Sequence, residues 1–183
     1  FLATSRKMGW PIATYLQQDH PLQVEVNRRV AELIGLPAEE LVSERDDCGA
    51  PTLVLQLAHM ALLYAHLGAS QHAELEQISR AMLSHPDLVA GEGRFDTELM
   101  RRSPGQVLSK GGAEGIQCLR RVGEGLGVAI KVEDGSRRAK QAVALHLLRQ
   151  LEWLPPMGLD ELDAQVLVVN PSVKLSVSGA MQS

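Results

Sequence analysis

Gln106-Val107-Leu108-Ser109-Lys110-Gly111-Gly112, then Ile116 to Val122, then Leu126-Gly127-Val128-Ala129-Ile130-Lys131-Val132-Glu133, carry the clearest structural signal in the chain. Pro104-Gly105 stands before them, and beyond it the apolar period changes to two. In the last run Leu126, Val128, Ile130 and Val132 fall on one face, and Gly127, Ala129, Lys131 and Glu133 fall on the other. That alternation is the mark of a half-buried strand. Three such runs in succession predict an antiparallel meander. Ser136 then caps a helix predicted to run through Leu154, with Ala139, Val143, Leu147, Leu151 and Leu154 as its stripe, and Pro155-Pro156 terminates it. Two β-prone pieces follow, Gln165 to Val169 and Val173 to Val177, separated by Asn170-Pro171.

Ahead of the meander the pattern is helical. Asp19-His20-Pro21 offers an N-cap with proline in the first turn, and Leu22, Val26, Val30 and Leu33 repeat at helical spacing up to Gly35. Leu36 to Asp47 has no clear period and runs into Cys48-Gly49-Ala50-Pro51, so a structured turn is expected there. From Thr52 to Leu67 apolar residues occupy nearly every face, which reads as a helix buried in a core and ended by Gly68. Ser70 can cap a further helix with Leu75, Ile78 and Met82 inward, stopped at His85-Pro86. Gly91-Glu92-Gly93-Arg94 is a loop, and Asp96-Thr97 opens a short helix through Met100. Helices, three strands, a helix and a terminal strand describe an α+β domain with helices packed on an antiparallel sheet.

Composition narrows the class of function. At 183 residues with 45% apolar content, the chain can bury the core of one domain. A formal charge of −4 leaves no basic surplus for a phosphate backbone, and 3% aromatic content is poor for base stacking, so nucleic acid is not expected as a partner. No run reaches the ~18 apolar residues of a membrane span. Cys48 and Cys118 make no C-x-x-C pair, and reduced thiols in the cytoplasm fit that usage.

Common metal and phosphate signatures are absent: there is no H-E-x-x-H, no Walker loop and no G-x-G-x-x-G between a strand and a helix. His59 and His66, seven apart, have no third ligand at helical spacing and read as core or surface histidines. Three features hold chemical potential. Asp46-Asp47-Cys48-Gly49-Ala50-Pro51 sets a lone thiol between carboxylates and a tight turn; a structural turn with a buried thiol is the competing reading. Lys110-Gly111-Gly112 at a strand end resembles the K-T-G element of penicillin-recognising enzymes, against the alternative of an exposed strand-end lysine. Gly91 to Glu98 is dense in hydrogen-bonding groups, equally the property of a solvated loop with internal ion pairs.

Taken together the motifs resemble one family. Gly9-Trp10-Pro11, Asp19-His20-Pro21-Leu22-Gln23, Asp46-x-Cys48-Gly49-Ala50-Pro51, His85-Pro86-x-x-Val89-Ala90-Gly91-Glu92-Gly93-Arg94, Lys110-x-Gly112-Ala113-Glu114-Gly115 and Gly127-Val128-Ala129-x-Lys131-Val132-x-Asp134-Gly135 occur in this order in the rhizobial-type L-asparaginases. The resemblance extends from Phe1 to about Leu154. It implies a fold like that of serine β-lactamases and glutaminases, and hydrolysis of L-asparagine to L-aspartate and ammonia through a serine/lysine acyl-enzyme.

By the same resemblance, Lys110 takes the position of a general base beside the catalytic serine. Asp46 takes that of a contact to the substrate's α-amino group, and Gly111 and Gly112 those of the substrate-binding strand end. Cys48 takes the position of a zinc ligand, with one zinc expected per subunit. A homodimer acting on a small-molecule substrate is expected, without nucleic acid or membrane. Two departures stand out: Gly111 replaces the threonine of K-T-G, and Asp47 replaces the glycine before Cys48. The family's S-x-x-K and C-S-G-K-H-A-G blocks lie upstream of the segment matching Phe1, and no S-x-x-K occurs in these residues. The expectation is that residues 1–183 are the C-terminal part of a single asparaginase domain, inactive by themselves. A non-catalytic amino-acid-binding relative, a glutaminase and a penicillin-recognising acyl transferase are the alternatives.

Overall fold

The structure, a computed structural model, describes residues 1–68, 72–170, 173–174 and 176–177. It is α+β, and it divides into two compact units, residues 1–59 and 60–183.

The first unit opens with α1 (Leu2–Met8) and α2 (Pro21–Ile34). The predicted start of α2 is correct, with His20 as the cap: its Nδ1 accepts from the Leu22 N–H at 3.1 Å, and Pro21 fills the position where a missing N–H costs nothing. His20 is held by its other ring nitrogen, 2.7 Å from the Pro11 carbonyl oxygen, and by an edge-on Trp10. The buried face of α2 is Leu22, Gln23, Ala31 and Ile34, one residue round from the predicted stripe, because Gln23 turns inward to donate to the Tyr15 carbonyl.

After a 3₁₀ turn at Ala38–Glu40 comes a hairpin, β1 (Val42–Arg45) with β2 (Pro51–Val54), pairing Val42 with Val54 and Arg45 with Pro51. This corrects the expectation of a buried helix from Thr52. Pro51 lacks a donor and is admitted at the first residue of a strand, and Thr52-Leu53-Val54 alternates in exposure; a short apolar run does not distinguish helix from strand by period alone. Helix α3 begins only at Leu57 and runs to His66, with no fully buried residue.

In the second unit α4 (Ala73–Ser84), α5 (Pro86–Ala90) and α6 (Phe95–Arg102) precede a three-stranded sheet, β3 (Val107–Gly111), β4 (Ile116–Arg121) and β5 (Gly127–Lys131). The predicted cap Ser70 lies outside the described residues. The sheet is the expected antiparallel meander, with Ser109 opposite Leu119, Gly111 opposite Gln117 and Lys110 opposite Cys118. Cross-strand partners share a face. Val107, Ser109, Gly111, Gln117, Leu119, Val128 and Ile130 therefore form one face, and Lys110, Cys118, Arg120, Ala129 and Gly127 form the other.

Helix α7 (Arg137–Gln150) covers the first of these faces. Ser136 caps it, accepting from the Ala139 N–H, and Ala144, Leu145 and Leu148 are fully buried against Val107 and Leu119. The helix ends four residues before the predicted Leu154, where Glu152 takes a left-handed conformation (φ 55°) and the Trp153 N–H returns to the Leu148 carbonyl. On the opposite face Gly127 admits α3: a Cβ there would stand 2.0 Å from the Ala61 carbonyl oxygen.

Pro155-Pro156 does not end the regular structure. Pro156 starts α8 (Pro156–Val166), whose Leu159, Leu162 and Val166 join the core, so Gln165 is helical and not the start of a strand. Proline is as much at home in a helix's first turn as beyond its last. A short pairing of β6 (Val168–Asn170) with β7 (Val173–Lys174) follows; Pro171 and Leu175 of the predicted terminal pieces lie outside the described residues.

Candidate functional site

Helix α6 is the element that organises the site. Thr97 pins its first turn to the preceding loop, its hydroxyl donating to the Pro86 carbonyl at 3.1 Å and to the Gly91 carbonyl at 2.6 Å. This directs Asp96 against the end of β3, where it is 92% removed from solvent. Asp96 accepts three hydrogen bonds: Oδ1 from Ser109 Oγ at 2.5 Å and Gln117 Nε2 at 2.7 Å, and Oδ2 from the Gly111 N–H at 2.8 Å. Gln117 also donates to Ser109 Oγ at 2.9 Å. A buried carboxylate is tolerable only with such a set of donors.

Lys140 completes the cluster from α7. It lies four and eight residues before Ala144 and Leu148, on the buried stripe of the helix, and its Nζ donates to the carbonyls of Gly112 at 2.8 Å and Ile116 at 2.7 Å. Burial holds its pKa below the ordinary lysine value, an effect that nearby Asp96 opposes and nearby Lys110 reinforces. The strand end Gly111-Gly112 is thus gripped twice, at the Gly111 N–H by an anion and at the Gly112 carbonyl by a cation.

Lys110 and Gly111 line a cleft of about 750 Å³ together with Arg94, Asp96, Arg137 and Lys140. Lys110 is half-buried, and its amine donates to the Gly111 carbonyl. It lines this cleft from the end of β3, beside the Gly111 N–H held by Asp96. Ser109, beside it in sequence, is fully buried with its hydroxyl committed to Asp96, which removes it as a nucleophile for an external substrate.

The departure at Gly111 has a structural counterpart. A Cβ there would stand 3.1 Å from Asp96 Oδ2 and 3.2 Å from both Gln117 Oε1 and Lys140 Nζ. The room that a threonine side chain would need is already filled by the polar atoms of the cluster.

Cys118 lies opposite Lys110 on β4, and burial pushes its thiol up to about 11. Arg120, two residues on, is 1% exposed, and its Nε and Nη1 have no hydrogen-bond partner among the described residues. Burial alone lowers its pKa.

Asp46 and Cys48 sit in the first unit, in the turn between β1 and β2. The Gly49 N–H donates to the Asp46 carbonyl at 2.8 Å, the Asp47 N–H donates to Asp46 Oδ1 at 2.8 Å, and Gly49 adopts φ 80°, a conformation open to glycine. The expected turn is present, but the reading of a buried thiol is overturned, since Cys48 is exposed. Tested against zinc, this turn supplies one sulfur. Among the described residues no group of three or more His, Cys, Asp or Glu is arranged to hold a metal ion, so these residues alone do not make a zinc site.

Sequence reasoning named Lys110, Gly111 and Gly112 as candidates and did not name Asp96 or Lys140, which hold this strand end. Asp96 was read as part of a hydrogen-bonding loop and as the opening of a short helix. Lys140 carried a usable signal, a cation at i, i+4, i+8 spacing with Ala144 and Leu148.

Among the described residues no helix is long and apolar enough to cross a membrane. No curated protein matches the chain. A family model described as L-asparaginase II matches residues 1–183. With the ordered motifs and a match along the whole chain, this protein belongs to the L-asparaginase II family of asparaginase-type amidohydrolases.

Proposed function

We propose that the protein hydrolyses L-asparagine to L-aspartate and ammonia, with Lys110 as the general base at a serine nucleophile. The observation that supports this reading is Lys110 itself, a half-buried amine at the cleft on a strand end clamped by Asp96 and Lys140. In the attack the serine oxygen adds to the side-chain amide carbon and its proton passes to the lysine amine. The C–N bond then breaks, the proton returns to nitrogen, and ammonia leaves an acyl-serine that water hydrolyses to aspartate. The nucleophile is the serine of the family's S-x-x-K, a motif these 183 residues do not contain. Holding the backbone beside the base is the contribution of Asp96, because a misplacement of about 1 Å costs on the order of a hundredfold in rate.

Asp46, in the exposed hairpin turn, is the proposed contact for the α-amino group, and Cys48 the proposed thiolate donor for zinc, with its remaining donors outside these residues. Zinc content of the protein and of Cys48→Ser after dialysis tests the latter; equal stoichiometric zinc in both would remove Cys48 as a ligand.

Ammonia release from L-asparagine, measured for the protein with its S-x-x-K segment and for Lys110→Ala, tests the reaction. A loss of kcat/KM of about a hundredfold or more is expected. Wild-type kcat/KM in the variant would show that Lys110 is not the base. One observation favours a second reading, a non-catalytic amino-acid binder: Gly111 lacks the hydroxyl of K-T-G, and cluster atoms occupy its space. Tight asparagine binding without ammonia release would establish that reading. L-Glutamine and a β-lactam in the same assay separate the glutaminase and acyl-transferase alternatives.

A further inference from the structure

The cleft beside Lys110 has a charge character that amide hydrolysis does not itself demand. Five cations line it, Arg94, Lys110, Arg137, Arg138 and Lys140, against one carboxylate, Asp96. The chain as a whole has 22 acidic residues to 18 Lys and Arg, so this excess is local.

Asp96 brings one negative charge against five positive ones, and its two oxygens are turned to Ser109, Gln117 and the Gly111 N–H, so that it forms no salt bridge with the arginines among the described residues. Lys140 is occupied with two carbonyls and Lys110 with one. The guanidinium groups of Arg94, Arg137 and Arg138 remain, all on exposed residues at the cleft. Among the described residues none of the three forms a salt bridge, nor do Arg6, Arg45 and the buried Arg120, whereas Arg28, Arg29, Arg80, Arg101, Arg102, Arg121 and Arg149 each pair with a carboxylate of their own unit; Arg94, Arg137 and Arg138 are the arginines that line this cleft.

We infer that this cleft is a binding site for a small carboxylate anion, held by Arg94, Arg137 and Arg138, and that it favours ligands with two carboxylates over those with one. The planar guanidinium fork matches a carboxylate in a bidentate manner, and several such groups around a partly enclosed space raise the local concentration of anions. If the chain acts as proposed above, the preferred ligand is the product: L-aspartate has a carboxylate where L-asparagine has an uncharged amide. Product then competes with substrate through this cleft, and the competition weakens with salt, since the arginines are exposed and screened within roughly 10 Å at 0.1 M ionic strength.

The test is titration calorimetry on the chain with succinate, L-aspartate, inorganic phosphate and uncharged succinamide, at low and at moderate salt. Succinate and L-aspartate are expected to bind about tenfold or more tighter than succinamide, and to lose several-fold in affinity as salt rises from about 20 to 200 mM. Arg137→Gln/Arg138→Gln is expected to abolish this preference. Arg137→Lys/Arg138→Lys, which keeps the charge and loses the fork, is expected to retain part of it. Because these side chains are exposed, circular dichroism of both variants should match the parent.

Equal affinity for succinate and succinamide, or unchanged succinate affinity in the Gln variant, overturns the inference. Phosphate binding as tight as succinate overturns the carboxylate assignment. Ammonia release distinguishes this site from the proposed reaction. Charge-selective binding without ammonia release from the protein with its S-x-x-K segment sinks the reaction and leaves the site; ammonia release from that protein with binding indifferent to Arg137 and Arg138 does the reverse.

Discussion

Replacing Asp96 by alanine should be among the most damaging single changes in the second unit. Three donors point at its carboxylate, at 2.5, 2.7 and 2.8 Å. Their fates differ. The Ser109 hydroxyl is fully buried and would lose the acceptor for its proton, which costs about 1–3 kcal/mol. Gln117, 1% exposed, would keep its bond to Ser109 Oγ. The Gly111 N–H, on a half-buried residue, is within reach of water. Lys140 would keep two carbonyls but lose the nearby negative charge that offsets its burial.

Together these effects give about 3–5 kcal/mol, in the range for breaking a buried charged network. That corresponds to a fall in Tm of roughly 6–12 °C or more for a protein of this size. Asp96→Asn keeps the shape but turns an N–H towards a donor, and about 1–3 kcal/mol is expected. Urea unfolding followed by circular dichroism, with exposed Asp87→Asn as a control expected within about 0.5 kcal/mol of the parent, provides the measurement. If Asp96→Ala falls in the same narrow range as the control, the cluster does not clamp the strand end and the account of Lys110 positioning is wrong.

Gly127→Ala should destabilise by about 3 kcal/mol or more, because its Cβ would meet the backbone of α3 at 2.0 Å, while Gly125→Ala, with open space around it, should be near neutral; thermal melts of the pair decide. Cys118 should resist iodoacetamide at pH 8 while Cys48 reacts, and a modified Cys118 in the folded protein would contradict its burial. Since the Cys118 pKa is raised to about 11 from 9.0 by burial, the unfolded chain binds fewer protons than the folded one between those values. Stability should fall as pH rises through that window, by about 2 kcal/mol more in the parent than in Cys118→Ala. Arg120→Met should raise stability by about 1 kcal/mol or more, since it removes a buried cation whose Nε and Nη1 have no hydrogen-bond partner among the described residues; a lower unfolding midpoint in urea would show that Arg120 has a partner.

The meander was legible because its signal is local. Alternation along Leu126 to Glu133 specifies both the strand and its two faces, and Ser136 and Pro21 announce helices through a side-chain oxygen or a missing N–H. The errors fall where local signals are ambiguous. Thr52 to Leu55 suits a strand or a buried helix until β1 stands beside it, and Pro155-Pro156 reads as a stop or a start until Leu159 and Leu162 find a core.

The site divides along the same physical boundary. Lys110, Gly111 and Gly112 in the second unit, and Asp46 and Cys48 in the first, could be named as candidates from short motifs, in which chemistry and neighbours are a few residues apart. Asp96 gains its role from Ser109, Gly111 and Gln117, at separations of 13, 15 and 21 residues, and Lys140 from carbonyls 28 and 24 residues away. Hydrogen bonds over such distances leave no periodic trace in a sequence, because any acid or lysine could make them once folding brings the partners within about 3 Å. Motif and period sufficed for the strand that carries Lys110. Which side chains grip that strand, and how three arginines without a salt bridge among the described residues come to border one cleft, follow from packing alone.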